Sequence, residues 1–224
     1  MSHTLTALSA ALPVAAGWSA HGFRLRRRID AARRDPLTGL WTRAPFEERA
    51  RKSLTRGRQR AVYVMDLNWF KQINDRFGHA AGDAVIRATG ERLARWAADH
   101  AGVAGRLGGD EFAAVTDVCG EADTVTDNLS AKVLDLLHRL EQPVVFDGRP
   151  IGVHVSVGAV RYWRDTADLS ALLRLADEHM YMAKREGGGA SLAPRFPTKP
   201  QSETVNGRRA GRRGTATTGT ETVA

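Results

Sequence analysis

The chain has 224 residues and one cysteine, Cys119. A single thiol excludes an intramolecular disulfide and supplies no zinc cluster. Its sequence neighbours provide no base or activating cation, which makes Cys119 structural or incidental rather than a nucleophile. No internal repeat is visible. Acidic residues are in short supply. There are 25 Asp and Glu against 33 Lys and Arg, a formal charge of +8. That balance suits an anionic partner, whether nucleotide, nucleic acid or membrane surface, without choosing among them. The excess lies in three runs, Arg24 to Arg34, Arg49 to Arg60 and Arg208 to Arg213, each of which also reads as a solvated basic segment. Beyond Pro194 large apolar residues almost vanish and Pro, Thr, Gly and Arg dominate, so residues 191–224 read as a disordered basic tail. Apolar residues still make up 42% of the chain, enough for a core.

Only residues 4–23 form a long apolar stretch. Its length could span a bilayer, but Pro13, Gly17 and His21 weaken it. The cationic residues follow the stretch instead of preceding it, which disfavours a secretory signal and favours a cytoplasmic C-terminal side. A membrane anchor or surface helix and a soluble dimerisation helix both remain open for residues 1–34.

The rest alternates between helical and strand-like patterns. Arg24 to Arg34 looks helical and stops at Asp35-Pro36, where proline disfavours helix for its predecessor. A helix is expected from Pro45 to Thr55, then a central strand over Ala61 to Met65 that ends at Asp66. A short helix over Trp69 to Asp75 precedes a longer one over Asp83 to Ala98, with Val85, Ile86 and Leu93 inward. Strands over Val103 to Leu107 and Glu111 to Thr116 flank the Gly108-Gly109 turn. A helix over Leu129 to Leu140, a long strand over Ile151 to Tyr162 and a helix over Ala167 to Arg185, closed by Gly187 to Gly189, complete the pattern. Mixed order with a central hairpin predicts an α+β sheet domain.

Three carboxylates fall where chemistry is expected. Asp66 ends the apolar strand, and Asp110-Glu111 follow the double glycine. If these strands pair, the carboxylates converge at one sheet edge. Mg²⁺ suits such a place, because it takes hard oxygen ligands and keeps positions open for phosphate and water. Glycines there let a triphosphate approach the backbone.

Arg106-Leu107-Gly108-Gly109-Asp110-Glu111-Phe112 resembles the signature of the GGDEF family, the diguanylate cyclases. Four further blocks follow the same family's order. Asp35 to Leu40 is similar to its opening motif, and Asp66 to Asp75 to its strand-to-helix segment. Gly78 to Asp83 is similar to the next block, and Ala176-Asp177 through Tyr181 to Lys184 to its closing helix. Five motifs in order make a specific match over residues 35–190, the expected catalytic domain.

The resemblance implies a fold like class III nucleotide cyclases and polymerase palm domains, with a mostly antiparallel sheet flanked by helices. It also implies the reaction. Two protomers each hold one GTP, each 3′-hydroxyl attacks the other's α-phosphorus, and pyrophosphate leaves. Asp66, Asp110 and the Leu67 carbonyl would ligate Mg²⁺ or Mn²⁺, and Glu111 would join a second metal. Asp110 is the expected proton acceptor, with water as the alternative. Asn74 and Asp83 would read guanine, whose N1–H and 2-amino group a carboxylate accepts together, whereas adenine leaves such a site unpaired. A helix C-cap for Asn74 and an N-cap for Asp83 are the structural alternatives. Lys71 and Lys184 would contact phosphate. Gly108 and Gly109 would line the substrate, and His79 would support the pocket. Trp69 and Phe70 are expected in the core or pocket wall.

The chain departs from the family pattern in three places. Asn68 stands where a second Asp is common. Gly188 stands where an Arg often provides a further phosphate contact. Counting back five residues from Gly108 places Gly102 and Asp99 at the Asp and Arg positions of the family's Arg-x-x-Asp product-binding motif. Product inhibition through that site is therefore not expected. A catalytically silent module that binds GTP or cyclic di-GMP as a receptor is the competing class, and the intact signature argues against it. A nucleic-acid-binding role rests on charge alone and lacks a binding motif.

Overall fold

The computed structural model describes residues 33–55, 59–118, 125–162 and 168–193. The apolar stretch at 4–23, most of the helix expected at 24–34, Cys119 and the tail from 194 lie outside the described residues. No described helix is long and apolar enough to cross a membrane.

The elements in chain order are β1 (Trp41–Thr42), α1 (Arg43–Thr55), β2 (Arg60–Leu67), α2 (Phe70–Phe77), α3 (His79–Asp99), β3 (Val103–Arg106) and β4 (Glu111–Asp117). They continue with α4 (Val125–Leu140), β5 (Val144–Phe146), β6 (Arg149–Ile151), β7 (Val155–Tyr162), α5 (Leu169–Arg185) and β8 (Gly189–Leu192). Six strands form one sheet in the order β1-β3-β4-β2-β7-β8. The inner pairs β3–β4, β4–β2 and β2–β7 are antiparallel, and the edge pairs β1–β3 and β7–β8 are parallel. The fold is α+β, as the alternating patterns predict.

All eight residues of β2 are buried, so the apolar run is the central strand. Its side chains alternate between the two faces. Ala61, Tyr63, Met65 and Leu67 join a core with Ile86, Leu93 and Trp96 of α3 and Leu136 and Leu140 of α4. Val62 and Val64 join a second core with Phe46 and Ala50 of α1 and Leu172, Ala176 and Met180 of α5. Helix α5 lies so close to β7 that a Cβ on Gly158 would stand 1.9 Å from the Ala176 carbonyl oxygen, so only glycine fits there.

The structure revises several expected boundaries. The long strand over Ile151 to Tyr162 is two strands in different sheets. Ile151 pairs with Val144 in the β5–β6 hairpin, whereas Val155 pairs with Leu67. Inward residues at Ile151, Val153 and Val155 keep period two across the break, so periodicity hides it. The hairpin turns at Asp147-Gly148, both at positive φ as a type I′ turn requires. Strand β8 begins on Gly189, the last of the three glycines, and runs to Leu192, past residue 190. The helix expected to include Arg34 is replaced there by a β-bridge to Trp41. Within the second basic run, Arg49 stacks on the Trp41 ring at 3.6 Å and Arg60 is buried against Asp117 at 2.8 Å, so neither is simply a solvated charge.

Candidate active site

The end of β2 lies beside the start of β4, so Asp66 and the Asp110-Glu111 pair stand on neighbouring backbone positions. Antiparallel pairing puts Asp66 opposite Glu111, and the Leu67 N–H donates to the Asp110 carbonyl at 3.2 Å. Residues 107–110 carry the chain from β3 into β4. Leu107 N–H donates to the Glu111 carbonyl at 2.8 Å, while Gly108 and Gly109 face solvent. A Cβ on Gly109 would meet nothing within 4 Å, so that side of the turn is open.

The turn is held from outside by Arg106, a role that the signature motif alone does not assign. Its Nη1 donates to both Asp35 carboxylate oxygens at 3.0 and 3.1 Å, and its Nη2 to the Gly109 carbonyl at 2.7 Å. Asp35 Oδ1 also accepts from the Thr38 amide and hydroxyl at 2.9 and 2.7 Å. Burial raises the Asp35 pKa, but the Thr38 and Arg106 hydrogen bonds outweigh it and hold the carboxyl below its ordinary value. The opening motif and the signature are thus one hydrogen-bonded unit.

Asp66 is fixed on the buried strand, and the Lys184 ammonium at the end of α5 donates to its Oδ1 at 2.6 Å. Burial raises the Asp66 pKa, the Lys184 hydrogen bond and charge oppose this, and Asp110 and Asp177 add to the rise. The net shift is upward, with burial the largest cause. Glu111 lies 3.7 Å from the Arg43 guanidinium. A cavity of about 400 Å³ opens beside it, lined in part by Arg43, Glu111, Arg174 and Asp177.

Among the described residues no three His, Cys, Asp or Glu side chains cluster as a metal-binding group. Two carboxylates and a main-chain carbonyl at this strand end are nevertheless hard oxygen donors of the kind a divalent cation takes. The Asp66 carboxylate is paired with the Lys184 ammonium.

Asn74 and Asp83 flank the junction of α2 and α3. Gly78, at φ 85°, ends α2 by donating its N–H to the Asn74 carbonyl, and α3 begins at once with the exposed His79. Asp83 therefore stands inside α3 and is not its N-cap. Asn74 is in the last turn of α2 with its side chain over Gly82. A Cβ on Gly82 would stand 2.0 Å from Asn74 Oδ1. Helix α3 thus starts at His79, ahead of the expected Asp83, and Gly82 near its beginning makes room for an amide. Lys71 is exposed in the first turn of α2. Phe70 is half-buried against the core, whereas Trp69 is 51% exposed with φ 56° and packs edge-on against His154. Trp69 is thus no core residue.

The two departures near the site are neighbours in space. Asn68 is buried, its Oδ1 accepts from the Ser156 hydroxyl at 2.8 Å, and its Nδ2 has no hydrogen-bond partner among the described residues. A Cβ on Gly188, at φ 118°, would stand 2.8 Å from that Nδ2.

The model of the family "Diguanylate cyclase, GGDEF domain" matches residues 32–190. An uncharacterised 19.3 kDa protein of Streptomyces ambofaciens is 45% identical over 170 residues, 75% of this chain and 87% of that protein. Diguanylate cyclase TpbB of Pseudomonas aeruginosa is 35% identical over 167 residues, 71% of this chain but only 37% of TpbB. Among solved structures, a sensory box/GGDEF family protein of Caulobacter crescentus superposes with a TM-score of 0.61 at 36% identity, covering 69% of this chain and 99% of that one. The coiled coil and GGDEF domain of DgcB from the same species, in complex with c-di-GMP, gives 0.64 at 26% identity, covering 83% and 99%. With the signature, the surrounding motifs and the sheet that joins them all in place, the chain belongs to the GGDEF family of diguanylate cyclase domains.

Proposed function

We propose that the protein is an active diguanylate cyclase that condenses two GTP into cyclic di-GMP as a dimer, with one GTP per protomer. The observation that supports this reading is the placement of Asp66 at the end of β2 opposite Glu111, with Asp110 and the open Gly108-Gly109 turn next to it and Lys184 bonded to Asp66. A bound Mg²⁺ or Mn²⁺ would acidify the attacking hydroxyl and neutralise phosphoryl charge. Asp66, Asp110 and the Leu67 carbonyl would hold it, and Glu111 would serve a second ion after leaving Arg43. Lys71 and Lys184 would grip the triphosphate as compact cations. Asn74 and Asp83 would select guanine, and His79 would support that pocket.

The 3′-hydroxyl oxygen of one GTP bonds to the α-phosphorus of the other. The bond from that phosphorus to the pyrophosphate oxygen breaks, and pyrophosphate leaves with the electron pair. The hydroxyl proton passes to Asp110 or to water. Repetition with the roles exchanged closes the ring. Incubation of the purified protein with GTP and Mg²⁺, followed by chromatography of the nucleotides, tests the proposal. Formation of cyclic di-GMP supports it, and GTP binding without turnover would make the domain a receptor instead.

A further inference from the structure

The Lys184–Asp66 contact joins two residues with different tasks in the proposed reaction. Asp66 is to hold a divalent cation, and Lys184 is to hold phosphate. At 2.6 Å the ammonium occupies Oδ1 of the carboxylate that the metal needs. The two side chains differ in freedom. Asp66 is anchored on the fully buried β2, with its side chain 9% exposed, whereas that of Lys184 is 43% exposed. The lysine can therefore leave while the carboxylate stays. Once it leaves, Asp66 faces Asp110 and Asp177 with less compensating charge. Departure thus needs a replacement cation at Asp66 and a new anionic partner for Lys184.

Gly188 sharpens the point. It presents no side chain, and the space a Cβ would take is closed by Asn68 Nδ2 at 2.8 Å. The position where the family often has a second phosphate-binding cation is empty of charge, so Lys184 carries a larger share of that work.

We infer that Lys184 is a latch that competes with the divalent cation for Asp66 and is released onto the triphosphate when metal and nucleotide arrive together. This deepens the cyclase reading and rests on it. The free domain then binds metal poorly, and metal–nucleotide binds as a unit. The latch makes metal affinity and nucleotide affinity respond oppositely to loss of the same side chain, which a purely structural lysine would not do.

The experiment measures Mn²⁺ binding to the full chain without nucleotide, by calorimetry and by electron paramagnetic resonance of free Mn²⁺. It also measures 3′-deoxy-GTP binding with Mn²⁺, since that analogue cannot react. Wild type, Lys184→Met and Lys184→Arg are compared, and circular dichroism checks that each is folded. The latch predicts that Lys184→Met tightens Mn²⁺ alone by about tenfold, the size of an ordinary coupling between sites, while weakening the analogue. Lys184→Arg keeps the charge and should bind Mn²⁺ as weakly as wild type. If Lys184→Met binds Mn²⁺ no better than wild type while wild type binds metal and analogue together, the latch is wrong and the cyclase reading stands. If wild type binds neither the analogue nor Mn²⁺ under any combination, both fall. If Lys184→Met is unfolded, Lys184→Gln takes its place with the same expected signs.

Discussion

Arg106 donates to both carboxylate oxygens of Asp35, at 3.0 and 3.1 Å, from 71 residues away in sequence. Each side chain is only 16% exposed, and the same guanidinium holds the Gly109 carbonyl. The contact fixes the turn that presents Asp110 and Glu111. It also makes stability depend on acid. The folded-state pKa of Asp35 lies below its ordinary value, so its contribution is fully present above that value and is lost as pH falls through the folded-state pKa. Asp35→Asn should lower stability near neutral pH by about 2 kcal/mol, the scale of hydrogen bonds to a charged group. It should also flatten the acid limb of a Tm-against-pH profile. An unchanged acid limb would remove Asp35 from this role.

Gly82→Ala separates stability from binding. Alanine favours the helix by about 1 kcal/mol over glycine. Its Cβ would nonetheless stand 2.0 Å from Asn74 Oδ1 and push the amide aside. The variant should keep or raise its Tm while GTP affinity falls by up to about tenfold, the loss of one hydrogen bond. Asp83→Ala should lower GTP affinity further with little change in Tm. Equal binding of ATP and GTP by wild type would contradict guanine reading by this pair.

Much of this was legible in the sequence. The apolar run ending at Asp66 marked β2 as central, and the double glycine marked the hairpin that returns Asp110 and Glu111 beside it. Asp35–Arg106 and Asp66–Lys184 were not legible as contacts. The partners are 71 and 118 residues apart, and no local periodicity couples them. Strand β8 was hidden because Gly187 to Gly189, all at positive φ, signal the end of a helix, yet the last of them already starts the strand. The β5–β6 hairpin had a readable signal in Asp147-Gly148, overridden by the alternation that continues into β7.

If the protein is the proposed cyclase, cyclic di-GMP should inhibit it poorly. Asp99, at the position of the expected arginine, is engaged by the Arg139 guanidinium at 2.7 Å, which links α3 to α4. Gly102, at the position of the expected carboxylate, has no room for a side chain, because a Cβ would stand 2.5 Å from the Val115 carbonyl oxygen. Nearby Arg92 is committed to the carbonyls of Leu140, Gln142 and Pro143. Noncompetitive inhibition at low micromolar product would reveal a different allosteric site.

Activity should depend on protein concentration more steeply than linearly at high dilution, because each product needs two GTP sites. Removing residues 1–32 leaves the Arg33 carbonyl in place to accept from Thr42 N–H at 3.0 Å. Such a truncation should fold, lose activity at dilute protein and recover part of it when concentrated. A fully active monomer, with rate proportional to enzyme, would contradict assembly through the N-terminal segment.

Whether Asp66, Asp110 and Glu111 serve to join two GTP molecules is read from the stoichiometry of turnover by wild type and by Asp110→Ala. With GTP and Mg²⁺, wild type should release two pyrophosphates for each cyclic di-GMP formed. Asp110→Ala should form none while keeping its fold. Cyclic di-GMP made by Asp110→Ala at the wild-type rate, or GTP consumed by wild type without any cyclic product, would contradict the proposed reaction.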